Sequence, residues 1–292
     1  MIRGIDVSKW QGDVDWQKAK EDGVQFAMIR LGCGSKDGRS CVADRCFSRN
    51  VSRAVEAGID VGCYFYSYAQ SVSAAEREAD FVISTLEPYA GVFTYPVAFD
   101  LEDVTQQKLG KTVLTEMVIA FGGRIERAGY FCSLYSNPNW LRYYLDAARL
   151  ARFDLWLAQW TDRPTWPGPF GMWQNSASGS VSGITGLVDT DVAYRDYPGY
   201  IRSHGLNGFK PPAARDIDTV AREVLRGKWG VGTERRRLLP EAGYDYAAVQ
   251  AKGERDGEVK DNKPQNPLSA SKKPPEHVLW RWGKSVGLTG LV

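Results

Sequence analysis

Tyr95-Pro96-Val97-Ala98-Phe99-Asp100-Leu101-Glu102-Asp103 is an apolar run that stops in acids. The continuous apolar stretch reads as a strand buried on both faces. Asp100 and Glu102 stand two apart, so in extended chain they share a face with Cα atoms about 6.5–7 Å apart. Working outward, strands of the same kind are predicted near Gly4–Val7, Phe26–Leu31, Val61–Tyr66, Phe131–Tyr135, Leu155–Gln159, Gly171–Gln174 and Val188–Ala193. Amphipathic segments separate them. Asp15–Asp22, Phe47–Ala57 and Thr112–Ala128 each run into a glycine (Gly23, Gly58, Gly129), the residue that tolerates the left-handed C′ position. Ser73 with Glu76 three positions on reads as the capping box of another helix. About eight strands alternating with helices over roughly 200 residues predict the α/β class, as an irregular parallel (β/α) barrel of TIM-like type. The short connections after Asp154 lack full helices, hence the irregularity. A doubly wound open sheet is the competitor, but no GxGxxG follows the first strand.

In a parallel barrel the C-terminal strand ends form the mouth where active sites are built. Read singly, Asp100 and Glu102 are a solvated acidic loop. Asp6 in the first strand and Asp189 at the opening of the last one change that reading. Charges inside apolar strands are costly unless used or paired, so three such strands predict a shared acidic mouth. Two carboxylates with separated proton affinities are what glycoside hydrolysis requires, one giving a proton and one staying ionised. A hard-cation site of the Mg²⁺ or Ca²⁺ type is the rival reading of the same acids. Tyr64, Tyr66, Tyr135, Trp156, Trp160 and Trp173 fall at or near strand ends, with Gln159 and Gln174 beside them. Aromatic faces and amides of this kind suit a sugar, though each aromatic alone is more often a core residue.

The rest of the composition narrows the chemistry. Only two histidines occur, His204 and His277, both outside the main run of strands. That argues against a zinc amidase, a Cys/His peptidase and a Ser-His-Asp triad, leaving carboxylates to do the work. No metal and no cofactor are expected. The five cysteines (Cys33, Cys41, Cys46, Cys63, Cys132) form no paired framework; Cys41 and Cys46 could bridge a loop, with reduced thiols the better expectation. The net charge is +2, with 22 Lys/Arg against 24 Asp/Glu in residues 1–212 and 15 against 11 in 213–292. This is too weak for a nucleic-acid partner, and no run of 18 apolar residues offers a membrane span. The N-terminus reads straight into a strand without a leader, which predicts a protein made and kept in the cytoplasm, or one that leaves by another route. A monomer is expected.

Two prolines in Phe209-Lys210-Pro211-Pro212-Ala213-Ala214 suggest an extended linker. The predicted organisation is a domain over 1–208, a linker over 209–214, a three-helix module over 215–252 and a disordered tail over 253–292. The module is near the lower size limit for folding alone.

Gly4-Ile5-Asp6-Val7-Ser8-Lys9-Trp10-Gln11-Gly12 followed by Asp15-Trp16 closely resembles the opening of glycoside hydrolase family twenty-five, the Chalaropsis-type lysozymes. Gly62-Cys63-Tyr64-Phe65-Tyr66, Asp100-Leu101-Glu102, Leu155-Trp156-Leu157-Ala158-Gln159-Trp160, Trp173-Gln174 and Gly186-Leu187-Val188-Asp189 resemble its later motifs in the same order, over about residues 2–200. The resemblance implies hydrolysis of the β-1,4 bond between N-acetylmuramic acid and N-acetylglucosamine in bacterial peptidoglycan. It implies Glu102 as general acid, and Asp100 stabilising the transition state or orienting the substrate's acetamido group. Asp6 and Asp189 would line the cleft and tune the pair. The chain departs from the family with Phe65 where His is frequent and with Asp191 where Asn is frequent, and the latter predicts a raised proton affinity of the acid. Asp216–Val224, Gly227-Lys228-Trp229-Gly230 and Ala242–Gln250 resemble the cell-wall-binding repeat of some phage lysozymes. That resemblance implies wall recognition by a surface holding Asp218, Arg222, Trp229, Tyr244 and Tyr246. Only one copy is present, and Gly253-Glu254-Arg255-Asp256 stands where the third helix usually ends in apolar residues. A wall-degrading enzyme without a leader fits a phage endolysin that stays in the cytoplasm until lysis, with a bacterial autolysin exported another way as the alternative origin. A non-catalytic wall-binding protein with a dead barrel is the rival reading, and a glycosidase for chitin or another glycan a third.

Overall fold

The computed structural model describes residues 1–211 and 216–255, which fall into two compact units divided near residue 213. In chain order the first unit holds β1 (Ile2–Val7), α1 (Trp16–Glu21), β2 (Phe26–Gly34), β3 (Cys41–Ala43), α2 (Phe47–Glu56), β4 (Asp60–Tyr66), α3 (Val72–Leu86), β5 (Val97–Asp100) and α4 (Gly110–Arg127). It continues with β6 (Cys132–Ser136), α5 (Pro138–Tyr143), α6 (Ala147–Leu150), β7 (Asp154–Ala158), β8 (Met172–Gly179), β9 (Val188–Ala193) and α7 (Tyr197–Ser203).

Eight strands close a barrel in the order β1-β2-β4-β5-β6-β7-β8-β9, and β1 pairs with both β2 and β9. The irregular barrel expected from the sequence is present, and one strand direction adds to its irregularity. β9 runs antiparallel to β8 and to β1. Apolar patterning sets which face a strand buries but not its direction, so the reversal left no mark in the sequence. Its consequence is large: the first residues of β9, rather than its last, lie at the mouth formed by the C-terminal ends of the others. β3, a short strand with two of its three residues exposed, lies outside the barrel on β2. The helix over 72–86 is capped by Ser71, which accepts from the Ala74 N–H, rather than opened by Ser73.

Alternation along the strands sorts the side chains. Ala27, Ile29, Val61, Cys63, Phe65, Val97 and Phe99 pack outward into the main core with helical residues such as Ala79, Val82 and Phe121. Phe26, Met28, Tyr95, Ala98, Met172, Ala193 and Tyr197 fill the lower interior of the barrel. Gly4 and Gly62 are part of that interior. A Cβ on Gly4 would stand 2.3 Å from the Phe26 ring, and one on Gly62 would stand 2.5 Å from Met28 Sδ. The missing side chains let Phe26 stack on Tyr95, ring centroids 4.3 Å apart, across the barrel. Continuing upward on the same inward parity brings Asp6 above Gly4, Arg30 above Met28, Tyr64 and Tyr66 above Gly62, and Asp100 above Ala98. The floor is therefore apolar and the mouth polar.

All five cysteines are free thiols. No described helix is long and apolar enough to cross a membrane.

The second unit holds α8 (Ile217–Leu225), α9 (Thr233–Glu241) and α10 (Tyr246–Arg255) around Val220, Ala221, Val224, Leu239 and Val249. α10 continues past Lys252, the expected end of the module, to Arg255, the last described residue, with Gly253 buried in it. Residues 212–215 of the expected linker and 256–292 of the expected tail lie outside the described residues.

Candidate active site

Asp6, Ser8, Arg30, Tyr64, Tyr66, Asp100, Glu102, Tyr135, Trp156, Gln174 and Asp189 line one cavity of about 200 Å³, with Trp10 and Gln11 at its edge. The four acids singled out in the sequence thus meet at one mouth. Asp6 and Asp100 are almost wholly buried, while Glu102 and Asp189 keep partial access to solvent. Asp189 reaches this end of the barrel because β9 is reversed, and the ladder sets it directly opposite Asp6.

The electrostatics follow from crowding. Burial raises the Asp100 carboxyl well above its usual range, helped by repulsion from Glu102 and opposed by the Arg30 guanidinium. Glu102 is pushed up to about 6 by burial, then by Asp189 and Asp103. Asp6 is raised well above normal by burial, then by Asp191 and Asp189, against a hydrogen bond from Gln174. Such a pair as Asp100 and Glu102 takes up protons as a unit, holding one between its two steps. Asp191, the departure from the family, lies one layer below Asp189 and is fully buried, with its Oδ1 accepting the Trp156 indole N–H at 2.8 Å. Its charge bears on Asp6 rather than on Glu102, which corrects the expectation that it raises the acid. Phe65, the other departure, faces away from the cavity and packs on Phe81. It does not reach the site.

Of the aromatics and amides proposed for the sugar, Tyr64, Tyr66, Tyr135, Trp156 and Gln174 line the cavity. Tyr135 and Tyr64 both meet Trp156 edge-on, which fixes the wall. Trp160 does not line it; the ring is exposed and its Nε1 donates to Gln174 Oε1 at 3.0 Å. Gln159 and Trp173 are turned to structural use. The Gln159 side chain bonds Thr165 through both its amide atoms, and its carbonyl accepts the Trp173 indole N–H at 2.7 Å. Trp173 and Gln174 are neighbours in a strand and point to opposite faces, so the two could not both face the cavity.

Four lining residues were not singled out as site residues: Ser8, Trp10, Gln11 and Arg30. Arg30 had a signal, a charge inside an apolar strand. Its Nε and Nη2 both donate to Asp44 Oδ2, at 2.8 and 2.6 Å, and Asp44 in turn accepts from the backbone N–H groups of Lys9 and Cys46. Gln11 holds the turn over the mouth by accepting from Ser8 N at 2.9 Å. Trp10 is exposed, an uncommon position for so large a ring.

In the second unit, Trp229 and Tyr244 meet edge-on with centroids 5.7 Å apart and, with Tyr246, flank the small core. Trp229 Nε1 donates to Glu223. Asp218 is exposed and pairs with Lys252 at 3.1 Å; Arg222 is exposed beside it on α8.

Comparison with known proteins agrees with this architecture. Lysozyme M1 of Streptomyces globisporus is 30% identical over 200 residues, covering 64% of this chain and 66% of that protein, so the chain spans about two thirds of its length. The bacterial lysozyme from Streptomyces coelicolor superposes with a TM-score of 0.56 at 26% identity, over 71% of this chain and 97% of that one. The CTP1L endolysin shares the fold with a TM-score of 0.60 at 22% identity, over 78% and 79% of the two chains. A model of the CW_7 repeat matches residues 218–253. The model of glycosyl hydrolases family 25 matches residues 5–184, the span that supplies the barrel through β8 and all of its acids except Asp189 and Asp191, and the chain belongs to that family.

Proposed function

We propose that this chain is an N-acetylmuramidase, cleaving the β-1,4 bond between N-acetylmuramic acid and N-acetylglucosamine in peptidoglycan. The observation that carries the reading is the pairing of Glu102, raised to about 6, with the more deeply buried Asp100 in one acid-lined cavity. Glu102 acts as general acid and gives its proton to the glycosidic oxygen as the C1–O bond breaks. Asp100 orients the acetamido group of the muramic acid, whose carbonyl oxygen forms the new bond to C1. The acetamido N–H donates to Asp100 and favours its ionised form, so the single proton of the pair moves to Glu102 when substrate binds. Water then opens the cyclic intermediate, with Glu102 taking back a proton. Asp6 and Asp189 line the far wall, and Tyr64, Tyr66, Tyr135, Trp156 and Gln174 hold the sugar.

The CW_7 match supports a wall-binding role for the second unit, with Asp218, Arg222, Trp229, Tyr244 and Tyr246 as its candidate contact residues. The two units together fit an enzyme that acts on the bacterial wall, and the shared fold with an endolysin supports a role in host cell lysis. The test is mass spectrometry of purified peptidoglycan after digestion and borohydride reduction. New reduced muramic acid ends are expected. Reduced glucosamine ends would overturn the bond assignment, and wall binding without new sugar ends would overturn the enzyme.

A further inference from the structure

We propose that Trp160 is a positioning residue whose indole N–H fixes the orientation of the Gln174 amide, and through that amide makes Asp6 a hydrogen-bond acceptor on the wall of the cavity. The role rests on the hydrolase reading above and adds to it a control point outside the cavity.

The argument is one of donors and acceptors. Gln174 is buried, and its Oε1 accepts from Trp160 Nε1 and from the Tyr135 hydroxyl, both at 3.0 Å. Its Nε2 donates to Asp6 Oδ2 at 2.7 Å. An amide turned by 180° exchanges its oxygen and its NH₂, so each neighbour either tolerates the exchange or forbids it. The Tyr135 hydroxyl donates or accepts and tolerates both. Asp6 also tolerates both, since a carboxylate accepts from NH₂ and a carboxylic acid donates to the oxygen. Only the indole N–H of Trp160 has a single role: it donates, and therefore the amide oxygen must face it. Among these partners, Trp160 alone forbids the turned amide, which would leave two N–H groups opposed at a part-buried position.

Trp160 is 63% exposed, so burial of its ring does not explain its placement. The hydrogen bond explains which way the ring faces. With the amide so held, its NH₂ meets Asp6, whose carboxyl burial, Asp191, Asp189 and Asp100 hold well above its ordinary range even against this hydrogen bond. Losing the hold lets the amide oxygen face Asp6, which then keeps its proton to higher pH. The wall opposite Asp100 and Glu102 then presents a carboxyl that donates to the amide instead of accepting from it.

Trp160→Phe tests this, because it keeps an aromatic ring at an exposed position and removes only the donor. Two measurements are made on it. The first is steady-state hydrolysis of a soluble oligosaccharide of alternating N-acetylglucosamine and N-acetylmuramic acid. The expected result is a kcat roughly five- to tenfold lower with little change in KM, the size of one lost hydrogen bond. In a Gln174→Leu background the same substitution is expected to cost nothing further, since the group through which it acts is gone. A raised KM with unchanged kcat would overturn the proposal in favour of a direct sugar contact, as would an additive loss in the Gln174→Leu background. The second is a ¹³C NMR titration of the Asp6 carboxyl without substrate, which does not depend on the reaction. Its midpoint is expected to move up in Trp160→Phe, and an unmoved midpoint would overturn the proposal. Wild-type protein that releases no sugar ends would defeat the muramidase reading, and the titration would still decide the role of Trp160.

Discussion

Asp6 of β1 and Asp189 of β9 are register partners across the antiparallel pair that closes the barrel. Ordinarily the first residues of a strand lie at the opposite end of a barrel from the mouth. The reversal of β9 brings Asp189 to the catalytic end, within electrostatic reach of Glu102.

That placement makes Asp189 a lever on the proton affinity of the acid. Glu102 is raised to about 6 by burial first and by Asp189 next. Asp189→Asn removes a negative neighbour, so Glu102 ionises at lower pH. The alkaline limb of the rate profile, set by loss of the Glu102 proton, is expected to move to lower pH. Asp191→Asn, whose charge bears on Asp6, is expected to move that limb less. Rate–pH profiles of the two variants check this, and a limb that follows Asp191 instead would contradict the layering.

A second buried acid sets stability rather than chemistry. Glu78 on α3 accepts from Ser67 Oγ at 2.6 Å and from Tyr68 N at 3.1 Å, and burial raises it to about 7 from 4.5. A carboxyl raised on folding binds its proton more tightly in the native state. Its contribution is fully present below about pH 4.5, falls away as pH rises to about 7 and is constant beyond. The change across that window is about 3 kcal/mol. Glu78→Gln is expected to flatten it and to raise the denaturation midpoint at pH 8 relative to wild type. Urea titrations at pH 4.5 and 8 measure this; equal pH dependence in both proteins would show that Glu78 does not titrate there.

The two units invite separation. A chain ending at residue 211 keeps the barrel, the cavity and its own core. It is expected to cleave soluble peptidoglycan glycan oligomers at an unchanged rate and to sediment less with whole cell walls. A single repeat brings no avidity of its own, so the expected loss of wall affinity is modest, about tenfold or less. Cosedimentation checks it, and equal binding of the two chains would remove the wall-binding role from the second unit.

Much of this was legible in the chain because burial writes period-two and continuous apolar runs. The run from Tyr95 to Glu102 announced both a strand and a mouth, and Asp6 and Asp189 could be joined to it because charges in apolar strands are costly. Strand direction leaves no such trace, so the reversed β9 went unseen even though Asp189 was correctly placed among the acids of the cavity. Parity in β8 separates Gln174 from Trp173, adjacent residues on opposite faces. Arg30 carried a signal in its charge, whereas its anchor Asp44 follows the short strand β3, which sequence reading missed. The part played by Trp160 depends on hydrogen-bond direction between side chains 14 residues apart, which no local pattern records.

The central claim is that Glu102 donates the proton that breaks the glycosidic bond. The most direct test is the initial rate of reducing-end release from purified peptidoglycan by wild type and by Glu102→Gln, an amide of the same shape that cannot give up a proton in the same way. The account predicts a rate lower by about 10²–10⁴, the usual contribution of general acid catalysis, with wall binding retained. A Glu102→Gln enzyme within tenfold of wild type would contradict it.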